Sequence, residues 1–216
     1  MLLFAHRGGL DGGHRPNSLA AFQDAVARGC AVESDVRLSA DGVPVLVHDA
    51  VWLRGLLPVV TRWFPAAWMG VCTLRKALDA LPGAQLSLDV KDPRAVPGVL
   101  SVLGPDAGRV WLVHDDLAVL SGIRAAHAEV RLVHEAPLSR IGPPEAHLAQ
   151  LERRGIDAQN TRWSGWTPAL VSRAHELGVL AFGSLAQTER ELRAAKGLDA
   201  IYSDHLSLMT GILGPR

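Results

Sequence analysis

The sequence predicts an α/β protein of the (β/α)8 TIM barrel class, and two features of the chain lead to that prediction. Short runs of valine, leucine and isoleucine alternate with longer segments of helical pattern, as in repeated βα units around a parallel sheet. Eight such units can be drawn along the 216 residues, a length that suits one barrel. We therefore expect a single domain over residues 1–216, with its functional side chains at the carboxyl ends of the strands.

The predicted strands follow the apolar runs in order. They cover residues 2–6, 31–37, 85–91, 109–114, 130–134, 156–160, 179–182 and 200–203. Helix signals lie between several of them. Ser18 is placed to cap a helix over residues 19–28, and Thr167 with Pro168 opens a helix that Gly178 ends. This punctuation supports the count of βα units.

A small hairpin and an aromatic insertion are predicted between strands two and three. Asp41 and Gly42 form a turn, and residues 44–48 run back as a strand that brings His48 near the end of strand two. Residues 51–70 interrupt the βα pattern with a concentration of large apolar side chains. These are Trp52, Trp63, Phe64, Trp68 and Met69. They predict either a compact loop packed on the barrel or a lid and weak lipid-contacting surface for a lipid-like substrate.

Composition excludes some classes of partner. Lysine plus arginine and aspartate plus glutamate both number 22, so the chain projects no strong field toward nucleic acid or an anionic membrane surface. The longest apolar runs are shorter than the ~20 residues of a transmembrane helix, and residues 1–5 are too short for a signal peptide. Cys30 and Cys72 are expected to be buried thiols. We expect a cytoplasmic protein, and the oligomeric state stays open.

Charged and histidine side chains gather where the first strands end. They are His6 and Arg7 after strand one, Glu33 and Asp35 on strand two, His48 on the hairpin, and Asp89 and Lys91 on strand three. Side chains two apart in a strand point to the same side, so each pair on a strand can face one cavity.

Three carboxylates at one barrel mouth repel each other unless a cation lies among them. A divalent ion that prefers oxygen ligands, Mg²⁺ or Ca²⁺, is therefore the predicted cofactor. Each pair taken singly has a plainer interpretation, because Glu33 and Asp35 could form an exposed polar face and Asp89 could simply pair with Lys91. The combination favours the metal site.

The ordered motifs of the first fifty residues resemble those of the glycerophosphodiester phosphodiesterase family. They are His6-Arg7-Gly8, Pro16-Asn17-Ser18-Leu19-Ala20-Ala21-Phe22, Val32-Glu33-Ser34-Asp35-Val36 and Asp41-Gly42-Val43-Pro44-Val45-Leu46-Val47-His48-Asp49. Residues 88–91 and 199–204 resemble the family's third-strand and last-strand motifs, whereas residues 92–198 match only as a barrel-like pattern.

The resemblance implies hydrolysis of a small-molecule glycerophosphodiester to an alcohol and glycerol 3-phosphate. It implies an acid–base role for His6 and His48, metal ligation by Glu33, Asp35 and Asp89, and phosphate contacts from Arg7 and Lys91. Which histidine is the acid and which the base stays open.

Two departures from the family pattern keep other functions open. Pro16 directly precedes Asn17 where the family usually has a glutamate, and Asp89 stands where the third-strand ligand is usually glutamate. Aspartate at that position resembles sphingomyelinase D type barrels, so a lysophospholipase D or sphingomyelinase D-like activity on lipids is one alternative. A non-catalytic phosphoester-binding barrel is the other.

The remaining histidines divide by position. His14, His127, His147 and His175 fall in loops or helices and are expected to have structural roles. A second set lies at later strand ends or in later βα loops and could line a substrate pocket. It comprises His114, His134, His205, Arg140, Asn160 and Trp163.

Overall fold

A computed structural model of the chain describes residues 1–54 and 57–214. Its strands are β1 (Leu2–Ala5), β2 (Ala31–Leu38), β3 (Pro44–Leu46), β4 (Val51–Arg54), β5 (Leu57–Val60), β6 (Cys72–Thr73), β7 (Leu86–Val90), β8 (Val110–His114), β9 (Arg131–Glu135), β10 (Ala158–Arg162), β11 (Leu180–Ser184) and β12 (Ala200–Ser203). Its helices are α1 (Leu19–Ala27), α2 (Ala66–Met69), α3 (Leu74–Ala80), α4 (Val96–Leu103), α5 (Leu117–Ala126), α6 (Pro144–Arg153), α7 (Pro168–Glu176), α8 (Glu189–Ala194) and α9 (Leu206–Leu213).

Eight parallel strands close into a barrel, which confirms the predicted (β/α)8 class. The order around the barrel is β1, β2, β7, β8, β9, β10, β11 and β12, and β1 pairs with both β2 and β12. Every predicted strand is present, with its ends shifted by no more than about two residues, the usual uncertainty of a boundary. The predicted helix caps are also present, since Ser18 Oγ accepts from Ala21 N and Thr167 Oγ1 accepts from Leu170 N.

Along most of the barrel strands, the side chains that point into the barrel change from apolar to polar. Phe4, Trp111, Phe182 and Tyr202 form a buried cluster inside the barrel. On β2 the inward series starts at Ala31 and continues, two residues at a time, with Glu33 and Asp35. The barrel interior is therefore a packed apolar plug with a polar upper layer, where the functional residues of such barrels lie.

The predicted hairpin and aromatic insertion lie between β2 and β7. Strand β3 runs antiparallel to β2, with Leu46 opposite Val36, and β6 extends the sheet beyond β3. Met69 is 1% exposed and packs with Val45, Val47 and Ala66, as the compact-loop interpretation requires. Trp63 and Trp68, by contrast, are 65% and 62% exposed. Residues 55 and 56 and the side chain of Trp52 lie outside the described part of the insertion.

Candidate active site

A cavity of about 130 Å³ opens at the carboxyl end of the barrel. We call it the carboxylate cavity, and its lining residues are His6, Arg7, Glu33, Asp35, Ser87, Asp89, Lys91, Val113, Glu135, Asn160, Ser184 and Tyr202. Six of the seven residues predicted from the sequence are therefore brought together. His48 lies apart, in an adjoining cavity.

Adjacent strands place the acidic side chains of this cavity side by side. Asp35 on β2 is the register partner of Asp89 on β7, and Glu33 precedes Asp35 on the same face. Glu33 and Asp35 are only 5% and 2% exposed. Lys91 Nζ forms an ion pair with Asp89 and lies 3.5 Å from Asp35 Oδ1, so one ammonium group partly neutralises two carboxylates.

Burial disfavours the ionised form of several carboxyl groups in this cavity. Burial raises the pKa of Glu33 to about 8; His6 opposes the rise, and Asp35 and Asp89 add to it. Burial also raises the pKa of Asp89 against the opposing charge of Lys91. Glu135 follows the same pattern, because burial and the nearby Asp89 raise its pKa to about 7. Each shift means that ionising the carboxyl group is costly where it stands.

The donor set fits a hard divalent cation in its chemistry. Glu33, Asp35 and Asp89 offer only oxygen atoms, which Mg²⁺ and Ca²⁺ prefer, and an added cation would stabilise their ionised forms. In the present arrangement, no three acidic, histidine or cysteine side chains of the described part of the chain stand close enough to ligate one ion. The Lys91 ammonium lies beside both Asp35 and Asp89, so we expect metal binding to require its displacement.

A tight turn after β1 presents His6 and Arg7. Arg7 adopts a left-handed backbone conformation with φ of 54°, and its N–H donates to Glu33 Oε2 at 2.8 Å. Gly8 follows with φ of 85°, and a Cβ added there would lie 2.7 Å from Ala21 Cβ. Glycine is therefore required for the turn to pack against α1. Arg7 Nε also lies 3.4 Å from Asp35 Oδ2.

His6 is held by a carboxylate behind it. Its Nδ1 lies 2.6 Å from Asp204 Oδ1, and its Nε2 faces the cavity 3.9 Å from Glu33 Oε2. Gln187 Nε2 donates to the second Asp204 oxygen at 2.6 Å, which fixes the carboxylate in turn. Burial lowers the pKa of His6, but the hydrogen bond with Asp204 and the charges of Glu33 and Asp204 together raise it above the ordinary value.

His48 lies at the end of the hairpin, beside a cavity of about 570 Å³ that also contacts Arg7. We call this space the His48 cavity. The ring Nδ1 lies 2.8 Å from Asp49 Oδ1, and Arg37 Nε donates to the His48 carbonyl at 2.8 Å. The two predicted catalytic histidines therefore lie in neighbouring cavities, with Arg7 lining both.

Several residues of the carboxylate cavity lie outside the set predicted to be catalytic, metal-ligating or phosphate-contacting. Glu135 ends β9, one residue beyond the predicted strand. Had the strand been predicted to extend to residue 135, the alternation of side chains along it would have placed Glu135 on the inward face, as it did Asp89. Asn160 was predicted as a pocket residue, and its buried Oδ1 has no hydrogen-bond partner within the described structure. Tyr202 shares a 2.9 Å hydrogen bond with Ser87 across the barrel, a pairing without a local sequence signal.

Asn17 orients one of the predicted metal ligands. Its Nδ2 donates to Asp35 Oδ2 at 3.2 Å, and its Oδ1 accepts from Ser34 Oγ at 2.7 Å. Asn17 has φ of 57°, a left-handed conformation that asparagine tolerates better than most residues. The asparagine therefore buttresses Asp35 even though a proline precedes it.

The other candidate pocket residues take different positions. His114 and Arg140 line a third cavity of about 390 Å³ that shares Asp89, Lys91 and Glu135 with the carboxylate cavity. His134 is buried instead, with Nδ1 2.8 Å from Gln159 Oε1. His205 precedes α9 and is exposed, and Trp163 is partly buried against the core. His147, expected to be structural, packs against His134 with ring centroids 4.8 Å apart.

Known proteins resemble this chain in sequence and in fold. Residues 6–92 match the model of the Glycerophosphoryl diester phosphodiesterase family. The "Probable glycerophosphodiester phosphodiesterase 2" of Mycobacterium tuberculosis is 32% identical over 113 residues, 47% of this chain. The match spans 43% of that relative, less than half of its length.

Solved structures share the whole fold at low identity. A glycerophosphodiester phosphodiesterase from Thermotoga maritima has a TM-score of 0.85 at 19% identity, covering 98% of this chain and 97% of that one. A phosphodiesterase from Oleispira antarctica, solved in complex with the product sn-glycerol-3-phosphate, has a TM-score of 0.83 at 22% identity, covering 100% of this chain and 97% of that one. At these identities the likeness establishes the barrel fold.

The predicted resemblance to the glycerophosphodiester phosphodiesterase family is therefore confirmed: the family's model matches the segment that supplies His6, Glu33, Asp35, His48 and Asp89.

Proposed function

We propose that this protein is a metal-dependent phosphodiesterase that hydrolyses glycerophosphodiesters to an alcohol and glycerol 3-phosphate. The observation that carries the proposal is the convergence of a histidine, four carboxyl side chains, an arginine and a lysine on one cavity at the carboxyl end of the barrel. The name of the Mycobacterium tuberculosis relative and the product bound by the Oleispira antarctica enzyme support the same substrate class.

The cations of the site suit a phosphodiester monoanion. Arg7 and Lys91 both line the carboxylate cavity, and a guanidinium can donate to two phosphoryl oxygens at once. A divalent metal held by Glu33, Asp35 and Asp89 would offset charge on the phosphoryl oxygens. Arg7, and Lys91 once the metal has displaced its ammonium from Asp35 and Asp89, would add electrostatic stabilisation as that charge grows.

His6 and His48 are proposed to move the protons of the reaction. Hydrolysis needs the attacking oxygen deprotonated and the leaving alkoxide protonated, and imidazole can act as base or acid near neutral pH. Asp204 binds His6 Nδ1 and so leaves Nε2 to face the substrate, while Asp49 does the same for His48. Water or the substrate's own glycerol hydroxyl is the proposed nucleophile.

Substitution of each histidine tests this function. His6→Ala and His48→Ala are expected to reduce kcat by at least ~10²-fold, since positioned acids and bases typically contribute that much or more. Circular dichroism and metal binding should stay near those of the wild type. His127→Ala, at an exposed helix end remote from the cavities, is the matched control and should keep full activity. Wild-type turnover in either site variant would contradict the assignment.

Diester binding without turnover, measured with added Mg²⁺ or Ca²⁺, would instead indicate a non-catalytic phosphoester-binding barrel. That outcome would leave the cavity as a binding site but remove the acid–base roles of the two histidines.

A lipid substrate is the second candidate, and the exposed Trp63 and Trp68 side chains favour it. Large exposed aromatic side chains within one short segment are typical of surfaces that contact apolar groups. If this insertion touches an acyl chain or a membrane surface, alanine at both positions should reduce turnover of a lysophospholipid and spare the deacylated diester with the same alcohol. If the variant turned over each of the two substrates as fast as the wild type does, that role would be excluded.

We also propose a cytoplasmic location. None of the helices in the described residues is both long and apolar enough to cross a lipid bilayer. Cys30 and Cys72 are both buried free thiols, the state usual in a reducing compartment. Cell fractionation with a tagged protein would test the location.

A further inference from the structure

The His48 cavity differs in charge from the carboxylate cavity beside it. Arg15 and Lys76 line it together with Arg7, and its acidic lining group, Asp49, is already bound to the His48 ring. Neither Arg15 nor Lys76 forms an ion pair with another described residue, whereas Arg7 is paired with Asp35. Two uncompensated positive charges therefore face this space.

The wall chemistry of the cavity points the same way. Its apolar wall is made of aliphatic side chains and a cysteine, and no phenylalanine, tyrosine or tryptophan of the described side chains lines it. Proteins recognise quaternary ammonium groups such as choline with aromatic side chains, whose faces attract the cation. An alcohol that carries a permanent positive charge would be repelled here by Arg15 and Lys76.

The amino-terminal end of α1 adds to the positive potential. Ser18, which caps this nine-residue helix, and Leu19, its first residue, both line the His48 cavity. The partial positive charge at a helix start favours anions within about one turn. It reinforces the side-chain charges of Arg15 and Lys76.

If the proposed function is correct, the glycerol group and the alcohol group of the diester must bind in different cavities. The third cavity is rich in carboxylates, with Asp89, Asp115 and Glu135 against Lys91 and Arg140, and carboxylates accept hydrogen bonds from glycerol hydroxyls. The His48 cavity borders the carboxylate cavity at Arg7, on the side where His48 stands.

We propose that the His48 cavity binds the leaving alcohol and that the preferred alcohol is anionic, carrying a second phosphate or a carboxylate that Arg15 and Lys76 recognise. This inference rests on the proposed function and specifies its substrate class. The enzyme then acts on diesters with a net negative charge on both sides of the scissile bond.

Three glycerophosphodiesters that differ only in the alcohol test the preference. Glycerophosphocholine carries a cationic alcohol, glycerophosphoglycerol a neutral one, and glycerophosphoglycerol with a terminal phosphate an anionic one. We expect kcat/KM to be about 10-fold higher for the anionic than for the cationic diester at low ionic strength, a range typical of a few partly exposed charge contacts. The difference should shrink as salt screens the charges. Equal values, or a preference for the choline diester, would overturn the proposal.

The double variant Arg15→Gln/Lys76→Gln locates the preference. It should reduce kcat/KM for the anionic diester about 10-fold and change that of the neutral diester less than about 2-fold. Arg190→Gln/Lys196→Gln removes the same charge from an exposed surface near α8 and should leave the preference intact. An equal loss for all three diesters in the first variant, or the same loss in the control, would contradict the assignment.

A binding measurement separates this inference from the proposed function. Calorimetric titration with glycerate, an anionic alcohol that is not a product of the proposed reaction, and with choline needs no turnover. Weaker binding of glycerate to Arg15→Gln/Lys76→Gln than to the surface control, with choline bound more weakly than glycerate by the wild type, supports the anionic pocket even if no diester is hydrolysed. Unchanged binding in that variant would exclude it, even if the enzyme proves to be an active phosphodiesterase.

Discussion

The pairing of His6 with Asp204 shows how a partly buried carboxylate can orient a histidine ring. A hydrogen bond at Nδ1 selects which ring nitrogen faces the substrate, and the negative charge stabilises the protonated ring. Asp204 is itself fixed by Gln187, so the ring orientation depends on groups that do not line the carboxylate cavity.

We predict that Asp204→Asn reduces kcat by about 10²- to 10⁴-fold and changes KM little, because the variant disturbs the tautomer of His6 rather than the phosphate contacts. Asp204 raises the pKa of His6, so its loss should lower that pKa. The limb of the pH–kcat/KM profile that reports His6 should therefore move to lower pH.

Asp199→Asn is the matched control, since Asp199 binds His175 at 2.8 Å immediately before the same strand, at the opposite end of the barrel. It should leave kcat and the pH profile unchanged. A normal profile in Asp204→Asn would show that the carboxylate does not act through His6.

At the scale of elements, the loop after β1 is fastened to the last helix. Asp11 Oδ1 accepts from Leu206 N and Asp11 Oδ2 accepts from Ser207 N, both at 3.0 Å. Leu10 N also donates to the Asp204 carbonyl at 2.8 Å. Asp11 therefore caps α9 from the opposite end of the sequence and helps to hold the first and last βα units together.

We predict that Asp11→Ala lowers the free energy of unfolding by about 1 kcal/mol, the usual cost of losing a helix cap. Burial raises the pKa of Asp11, but the N–H groups of Ser207 and Leu206 outweigh it and leave the pKa below its ordinary value of 3.8. The contribution of this carboxylate is then fully present above pH ~3.8 and is lost as pH falls through the lower folded pKa.

Urea denaturation of the wild type and Asp11→Ala at several pH values would measure this difference. It should be constant between about pH 5 and 8 and should disappear in acid, as long as the fold persists there. Asp79→Ala, in an exposed ion pair with Arg75, should change stability by less than ~0.5 kcal/mol. If the stability difference between the wild type and Asp11→Ala persisted below the pKa of Asp11 in the folded state, the charge of Asp11 would not be the source of the stabilisation.

Local signals and distant contacts differ in how far the sequence predicts them. The cap at Ser18 is a neighbour effect, so a serine before an apolar helix was enough to predict it. Asp11 caps a helix 195 residues away, and no pattern in its surroundings predicts that contact. In the same way, the alternation of side chains within one strand predicts that Glu33 and Asp35 share a face. The hydrogen bond between Ser87 and Tyr202 joins two distant strands and has no such local signal.

At the scale of the molecule, an aromatic plug fills the barrel below the site. The rings of Trp111 and Phe182 lie 5.1 Å apart, and those of Phe4 and Tyr202 stack at 4.9 Å. Trp111 Nε1 donates to Gln85 Oε1 at 2.9 Å, so its polar atom is satisfied despite burial. The plug excludes water beneath the carboxylates and contributes to their raised pKa values.

We predict that Phe182→Ala lowers the free energy of unfolding by about 3–5 kcal/mol, the usual cost of an unfilled aromatic site in a core. Trp63→Ala removes a larger but 65% exposed side chain and should cost less than ~0.5 kcal/mol. Thermal and urea unfolding would measure both. If Phe182→Ala lowered the free energy of unfolding by only as much as Trp63→Ala, the barrel would have to repack to fill the cavity left by the phenylalanine ring.

The barrel class and the main acidic site could be predicted because both depend on periodic patterns in short segments. The position of His48 relative to His6 could not, since it depends on how the hairpin and the turn after β1, two separate segments, are placed around Arg7, which lines both cavities. Lys91 was predicted to bind phosphate, yet its ammonium lies beside the buried Asp35 and the partly buried Asp89, where it supplies a counter-charge. Its proposed role in substrate binding stays a prediction.

The buried carboxyl group of Glu33 lowers the stability of the metal-free protein when it ionises, although its proposed role as a metal ligand requires the ionised form. Glu33 has an ordinary pKa near 4.5 and a pKa of about 8 in the metal-free fold, where burial disfavours its charge. Between these values the folded state binds more protons than the unfolded state, so the free energy of unfolding falls as pH rises from about 4.5 to 8. Glu33→Gln should flatten this slope and stabilise the metal-free protein at pH 8.

With metal present, we predict that the wild type becomes more stable than Glu33→Gln, the reverse of their order without metal. Mg²⁺ or Ca²⁺ at 100 times its Kd should stabilise the wild type by about 2.7 kcal/mol, and a chelator should remove the effect. Glu33→Gln lacks one proposed ligand and should gain far less, whereas Glu176→Gln, an exposed control paired with Arg173, should respond like the wild type. Thermal unfolding with metal and with chelator would measure all three proteins. Equal metal stabilisation of Glu33→Gln and the wild type would show that Glu33 binds no cation, because a neutral amide replaces a charged ligand only at a large loss of affinity.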